Sequence, residues 1–419
     1  MNITCLKTFI IGVFLFSPVY IFAQTDAEKQ FTDYANKQMA LQHQAYVARD
    51  VNGDKKLITD FVTSYNNLGA DDKQMYKQYL SNTYYNLSCI YSVLNEKKYA
   101  LDYLDSSYNK GFYDYAHLQV DSDMNNIRHE QRFVQISERM RSIGDYSYIL
   151  KKAAKYNTAD DRKIPAFTYE PATDSALVAL KKQYKLDSIA GNATDVTQVL
   201  NILHWVHNIV HHDGQHESGI TIINAGNIIA ATSKGKMGVS CGELATVLND
   251  CYLALGYKAR KVYCFPKDSL KMDYDSHVIN VVYLPSKKKW VWVDPTNNAS
   301  VMDENGNLLS IEEVRARLVN NKPLILTPDA NWNNRETITK DFYLDYYMTK
   351  NLYYLYSPLK SEYNYETHEK NKTIEYVHLI PLDYFVQKPD ISENKYKDTN
   401  LVMVKYRTNN PQVFWKAPN

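Results

Sequence analysis

The spacing of apolar side chains changes from a helical to a strand-like period along this 419-residue chain. From about residue 25 to 150, apolar and tyrosine positions recur with helical spacing and proline is nearly absent, which predicts packed helices. Within this part, residues 84–112 predict two short helices that join at Asn95 and end at Gly111, a glycine in the position of a C-terminal cap. We therefore expect an all-α region over residues 24–155.

A polar stretch near residues 155–172, which contains Pro165 and Pro171, is typical of a domain boundary. Further helices are predicted after it, and the period then changes to two. We assign residues 160–350 to a second domain of mixed α+β type. Residues 351–419 alternate like strands, and the sequence leaves open whether this β-rich segment belongs to the same domain.

The stretch KMGVSCGELATVLNDCYLALGY, residues 236–257, predicts an amphipathic helix. Ser240 and Glu243 have the spacing of a capping box, so Cys241 would be the first helical residue. The unpaired amide groups and positive dipole end at this position stabilise a thiolate. The amide N–H of Cys241 would also point to where a tetrahedral oxyanion develops.

Three strands are predicted after this helix: KARKVYCF, SHVINVVYL and KWVWVDPT. A hairpin turn over PSKK would pair Leu284 with Lys289. This register places His277 and Asp294 on the same sheet face as diagonal neighbours, within reach of a carboxylate-imidazole hydrogen bond. A thiol nucleophile needs such a base and orienting group. Taken singly, a helix cysteine or a strand histidine is more often a structural residue, and we expect Cys251 and Cys264 to be core residues.

Composition and charge exclude several partners. The chain has 48 Lys and Arg against 47 Asp and Glu, so no large single-sign field attracts nucleic acid or an anionic membrane.

Residues 1–23 combine a lysine with a short apolar run, as in a secretory signal peptide; an uncleaved anchor is the alternative. We expect a periplasmic or extracellular protein. The cysteines after Cys5 are too few and scattered for a disulfide framework or a zinc site.

The loop HHDGQHESG holds His211, His212, Asp213 and His216. Adjacent histidines on one loop seldom converge on one ion, so a solvated helix end is favoured over a metal site. We expect no metal and no cofactor.

The helical pair over residues 84–112 resembles one tetratricopeptide repeat. The resemblance rests on large and small positions at Tyr84, Leu87, Ser88, Tyr91, Ala100, Leu104 and Ser107. Such repeats often bind peptides or proteins, which implies a protein partner; a packing platform is the alternative.

The ordered motifs around Cys241, His277 and Asp294 resemble the core of the transglutaminase-like superfamily, over about residues 190–300 with a weaker echo to about 350. The resemblance implies a papain-like fold, with a nucleophile helix on an antiparallel sheet. It also implies that Cys241 is the nucleophile, His277 the general base and acid, and Asp294 the orienting group. Gly242 stands where the animal enzymes have an aromatic residue, and their calcium-site signatures are not recognisable.

The implied activity is hydrolysis of a peptide or protein amide through a thioester. Acyl transfer to an amine and a catalytically silent binding scaffold are the alternatives. A second oxyanion donor is not identified, and Asn224, which also suits a helix cap, is the candidate.

Overall fold

The structure is a computed structural model, and it describes residues 26–69, 72–73, 76–214, 216, 218–233, 237–267 and 275–418. The predicted signal peptide, residues 1–23, lies outside the described residues. None of the described helices is both long and apolar enough to cross a lipid bilayer. The chain divides into two compact units after Lys152.

The described elements of the N-terminal unit are all helices. Its elements are Asp26–Ala48 (α1), Val51–Asn66 (α2), Lys77–Val93 (α3), Lys97–Lys110 (α4), Tyr115–Val120 (α5), a 3₁₀-helix over Ser122–Asn126, Gln131–Gly144 (α6) and Tyr146–Lys152 (α7).

Helices α3 and α4 form the pair that the sequence predicts. Asn95 lies in the turn between them with a φ of 60°, and Gly111 ends α4 as a left-handed cap with a φ of 107°. Ser88 Oγ of α3 donates to the carbonyl of Ala100 in α4 at 2.8 Å. Small residues therefore allow the two helices to approach closely. The helical pair is confirmed, whereas its identity as a tetratricopeptide repeat stays a prediction.

The C-terminal unit combines helices with a large sheet. Its described helices are Ser175–Tyr184 (α8), Leu186–Ala190 (α9), Asp195–Ile209 (α10), Ala225–Thr232 (α11), Cys241–Ala254 (α12), Ile311–Val319 (α13), a π-helix over Asp341–Met348, Thr349–Asn351 (α14) and Pro411–Phe414 (α15). Its described strands are Thr168–Tyr169 (β1), Ala259–Phe265 (β2), His277–Leu284 (β3), Lys289–Val293 (β4), Val301–Met302 (β5), Ile325–Leu326 (β6), Asn331–Trp332 (β7), Glu336–Thr337 (β8), Tyr354–Pro358 (β9), Lys360–Ser361 (β10), Thr373–Leu379 (β11), Ile391–Lys395 (β12) and Val402–Thr408 (β13).

The main sheet of the described residues has seven strands in the order β12-β13-β11-β9-β2-β3-β4. Strand β9 pairs with β2 through Tyr356 and Tyr263, so strands from residues 351–419 continue the sheet that contains β2, β3 and β4. The polar stretch near 155–172 also lies in this unit, where Thr168 pairs with Lys360. The α+β fold class is confirmed.

Helix α12 packs on this sheet through its apolar face. Its buried residues pack in one core with residues of β3 and β4, namely Leu244, Val247, Leu248 and Cys251 with Val282, Leu284, Val291 and Val293. Each fully buried leucine contributes about 1.5–3 kcal/mol. The hairpin pairs Leu284 with Lys289, which is the predicted register. The core therefore fixes the start of α12 relative to the hairpin.

Candidate active site

Helix α12 begins at Cys241, and a capping box fixes this start. Ser240 Oγ accepts from the amide of Glu243, and the Glu243 carboxylate accepts from the amide of Ser240 at 2.8 Å. Cys241 is a partly exposed residue, whereas Cys251 and Cys264 are fully buried. Burial raises the pKa of both buried thiols well above the usual range. Among these three cysteines, Cys241 is the one placed for reaction.

His277 and Asp294 form a buried hydrogen-bonded pair. His277 Nε2 lies 2.7 Å from Asp294 Oδ2, and the two side chains are 2% and 0% exposed. The same carboxylate accepts from the hydroxyl of Tyr343 at 2.5 Å and from Asn297 Nδ2 at 3.0 Å. Its other oxygen accepts from the amide of Thr296 at 2.8 Å. These donors hold the carboxylate in one orientation. Because Nε2 of His277 is bonded to Asp294, the other ring nitrogen, Nδ1, remains available to Cys241.

The charges of the pair stabilise each other. Burial lowers the pKa of His277, but the adjacent Asp294 carboxylate outweighs burial and raises that pKa to about 10. Burial also favours the neutral form of Asp294, but His277 and the hydrogen bonds hold the pKa of Asp294 below its usual range. At neutral pH the pair is therefore an imidazolium and a carboxylate.

The Cys241 thiol is acidic because its neighbours stabilise the thiolate more than burial destabilises it. Burial raises its pKa, but hydrogen bonds from His212 and His277, together with the charge of His277, lower it to about 6. Cys241 is thus a thiolate at neutral pH, next to an imidazolium. Such a site can form a covalent bond to an electrophilic carbon and can pass a proton from the imidazolium.

The π-helix supplies two tyrosines that the sequence did not single out. Tyr343 donates to Asp294, and the ring of Tyr347 meets the ring of His277 edge-on at 5.3 Å between centroids. Residues four apart share a face of this wide helix, and such helices are frequent at functional sites. The sequence shows this segment only as dense in tyrosine, so its contribution to the site could not be foreseen.

His212 has a different environment from the one that the sequence predicts. The prediction of a solvated helix end is wrong at this residue, because the His212 ring accepts a hydrogen bond from Trp332 at 3.0 Å and lowers the pKa of the Cys241 thiol. Its backbone forms a parallel bridge with Val239, two residues before Cys241. This long-range bridge has no signature in the local pattern. His216 of the same loop is exposed and pairs instead with Asp213 at 2.8 Å.

Other candidate ligands and donors have different roles. Asn224 caps α11 by accepting from the amide of Asn227 at 2.8 Å, and its Nδ2 donates to Asn364 Oδ1 at 2.5 Å. The side-chain amide of Asn224 is therefore engaged outside the Cys241 cluster. Within the described residues, no three His, Cys, Asp or Glu side chains are grouped in a way that could hold a metal ion.

Alkylation measures the acidity of Cys241 directly. We expect the rate of Cys241 alkylation by iodoacetamide to rise with pH around a midpoint near 6, because His212 and His277 stabilise the thiolate. The midpoint belongs to the coupled thiol and imidazole groups rather than to one residue. Cys251 and Cys264 provide internal controls and should stay unmodified in the folded protein. An alkylation midpoint of about pH 8.5, as in a free thiol, would show that the site does not activate Cys241.

Comparison with known families agrees with this architecture. The family model of the transglutaminase-like superfamily matches residues 182–295, a range that includes Cys241, His277 and Asp294. Residues 182–295 of the C-terminal unit are therefore similar to the transglutaminase-like domains of papain-like cysteine enzymes. No curated protein and no solved structure matches the chain.

Proposed function

We propose that the protein is an exported, cysteine-dependent amide hydrolase of peptidase type. Cys241 is the nucleophile, His277 the general base and acid, and Asp294 the orienting group. One observation carries the proposal: a thiol with a pKa of about 6 stands beside a buried imidazole that is held at 2.7 Å by a carboxylate. Acyl transfer by a thiol requires this combination of nucleophile, base and orienting group.

The reaction proceeds in two halves. The Cys241 thiolate attacks the amide carbonyl, a carbon-sulfur bond forms, and the electron pair of the C=O bond moves to the oxygen, next to the amide N–H of Cys241. His277 gives its proton to the amine as the carbon-nitrogen bond breaks, which leaves a thioester. Water then attacks the thioester while His277 takes its proton, and the thiolate departs.

An amine in place of water would give a transferase with the same residues. Acyl transfer is therefore an outcome that the experiment must distinguish. Export rests on the signal-like residues 1–23, and a protein partner for residues 24–155 rests on the helical pattern of that region. Both belong to the proposal.

The test compares the mature protein with its Cys241→Ala variant on peptide, glutamine-amide and cell-wall peptide libraries, with and without an added amine. We expect the wild-type protein to release amines without an acceptor and the variant to release none. Product formation that requires the added amine would identify a transferase instead.

Cys251→Ala is the matched control, because Cys251 lies on the buried face of the same helix. It should retain activity. If the wild-type protein and Cys241→Ala do not differ on any amide, the enzyme proposal fails and a binding scaffold becomes the better description.

A further inference from the structure

The proposed acyl transfer needs a second donor for the oxyanion, and this inference rests on that function. The amide of Cys241 provides the first donor. Asn224, the candidate from the sequence, is engaged by Asn227 and Asn364. His212 bridges to Val239, two residues before Cys241, lowers the pKa of the Cys241 thiol, and has no part in the proton transfers of the proposed mechanism.

The hydrogen bonds of the His212 ring define which nitrogen carries the hydrogen. Trp332 Nε1 donates to His212 Nδ1 at 3.0 Å, and an indole nitrogen can only donate. Nδ1 is therefore the acceptor and the hydrogen lies on Nε2, so Nε2–H is the ring donor that remains for Cys241.

The two histidines at the sulfur are therefore held in opposite ways. His277 has a carboxylate, Asp294, at Nε2, which stabilises the imidazolium and suits proton transfer. His212 has an N–H donor, Trp332, behind it, which suits a ring that donates a hydrogen bond and keeps its proton. His277 is therefore suited to carry a proton, and His212 to act as a fixed hydrogen-bond donor.

The backbone of His212 is also fixed. Its amide donates to Asn333 Oδ1 at 2.8 Å, and its carbonyl accepts from Asn333 Nδ2 at 2.9 Å. A Cβ atom on Gly238 would lie only 2.5 Å from the Cβ of Asp213, so a glycine is needed for the close approach beside the Val239 bridge. A donor held in this way needs little reorganisation during reaction, which is the requirement for electrostatic stabilisation of a transition state.

We propose that His212 is a catalytic residue that stabilises the oxyanion through its Nε2–H. In the free enzyme this group is the donor that His212 offers to the Cys241 thiolate. The carbonyl oxygen of an attacked amide lies two bonds from that sulfur, so the donor transfers to the oxygen with a small shift as the carbon-sulfur bond forms. His212 keeps its proton throughout, and His277 carries the proton to the leaving amine.

The test separates chemistry that develops an oxyanion from chemistry that does not. Release of p-nitrophenol from p-nitrophenyl acetate requires attack on a carbonyl, whereas alkylation by iodoacetamide is a displacement at carbon without an oxyanion. His212→Phe keeps an aromatic ring but removes the donor. We expect it to lower kcat for the ester by about 10²- to 10³-fold with a small change in KM. Alkylation, compared at a pH where Cys241 is fully ionised, should fall by less than a tenth of that factor.

His212→Gln retains an N–H donor and should recover most of the lost kcat. Trp332→Phe provides a second route if His212→Phe does not fold, because it removes the group that fixes the hydrogen on Nε2; we expect kcat to fall while alkylation persists. His216→Gln, an exposed histidine of the same loop, should behave as wild type.

The outcomes distinguish this inference from the proposed function. If the wild-type protein and Cys241→Ala hydrolyse the ester equally, the proposed function itself fails. If the wild-type protein is active and His212→Phe retains its kcat, or if ester hydrolysis and alkylation fall by the same factor, His212 is not an oxyanion donor and the proposed function stands.

Discussion

Replacing Asp294 with alanine should reduce both activity and stability. The substitution removes the acceptor of the His277, Tyr343 and Asn297 side chains. It also removes the acceptor of the Thr296 amide, so several buried donors lose their partner. Breaking a buried ion pair from one side costs about 3–5 kcal/mol. We expect a loss of this size in the free energy of unfolding, measured by urea denaturation, and a fall of about 10²- to 10⁴-fold in kcat/KM.

The stability loss should depend on pH in a defined direction. The pKa of Asp294 is depressed in the folded state, so its stabilisation is present above its unfolded pKa of about 3.9 and lost as pH falls through the folded value. The pKa of His277 is raised to about 10, so its stabilisation is complete below its unfolded pKa of about 6.5 and lost as pH rises through about 10. The stability difference between the wild-type protein and Asp294→Ala should therefore be largest between about pH 4 and 6.5.

Asp250→Asn is a suitable control for activity. Asp250 is a buried aspartate of α12, and burial raises its pKa to about 7. The shift of its pKa is therefore opposite in direction to that of Asp294. This variant should keep its activity. A stability difference for Asp294→Ala that does not change with pH would contradict the ion pair with His277.

Replacing His277 with glutamine should remove most of the activity while keeping a donor for Asp294. The variant loses the imidazolium that stabilises the thiolate, so the pKa of Cys241 should rise from about 6 toward that of a free thiol. It also loses the general acid, which contributes about 10²- to 10⁴-fold to the rate. We expect a fall of that size in kcat/KM and an upward shift of the alkylation midpoint.

The exposed His204 provides the matched control for this substitution. His204→Gln should retain both the rate and the alkylation midpoint of the wild-type protein. If His277→Gln lowers the rate but leaves the midpoint unchanged, His277 would not be the partner that ionises Cys241.

Local sequence patterns were sufficient to predict where helix α12 begins and how the hairpin pairs. The capping-box spacing of Ser240 and Glu243 depends on residues three apart, and the observed helix begins at Cys241 as predicted. The pairing of Leu284 with Lys289 follows from a short turn, and strand parity then brings His277 to Asp294. These features depend on short separations along the chain, which is why periodicity and turn length predict them.

The remaining parts of the site depend on distant residues. His212 reaches Cys241 through a bridge to Val239, and its ring is oriented by Trp332, 120 residues further along. Tyr343 reaches Asp294 from a π-helix, an element whose extra residue per turn has no simple period in the sequence. A pattern read over one window cannot predict such contacts, and the histidine loop was consequently misinterpreted at His212.

The position of β2 in the sheet has a consequence for how the unit folds. Strand β2 is an interior strand because β9 covers one of its edges, and β9 comes from residues well beyond the family match at 182–295. Without β9, the backbone groups along that edge of β2 would be exposed and open to pairing with other chains. The proposed active-site residues His277 and Asp294 therefore depend on a sheet that the C-terminal strands complete. We expect detachment of those strands to make the sheet that bears His277 prone to aggregation.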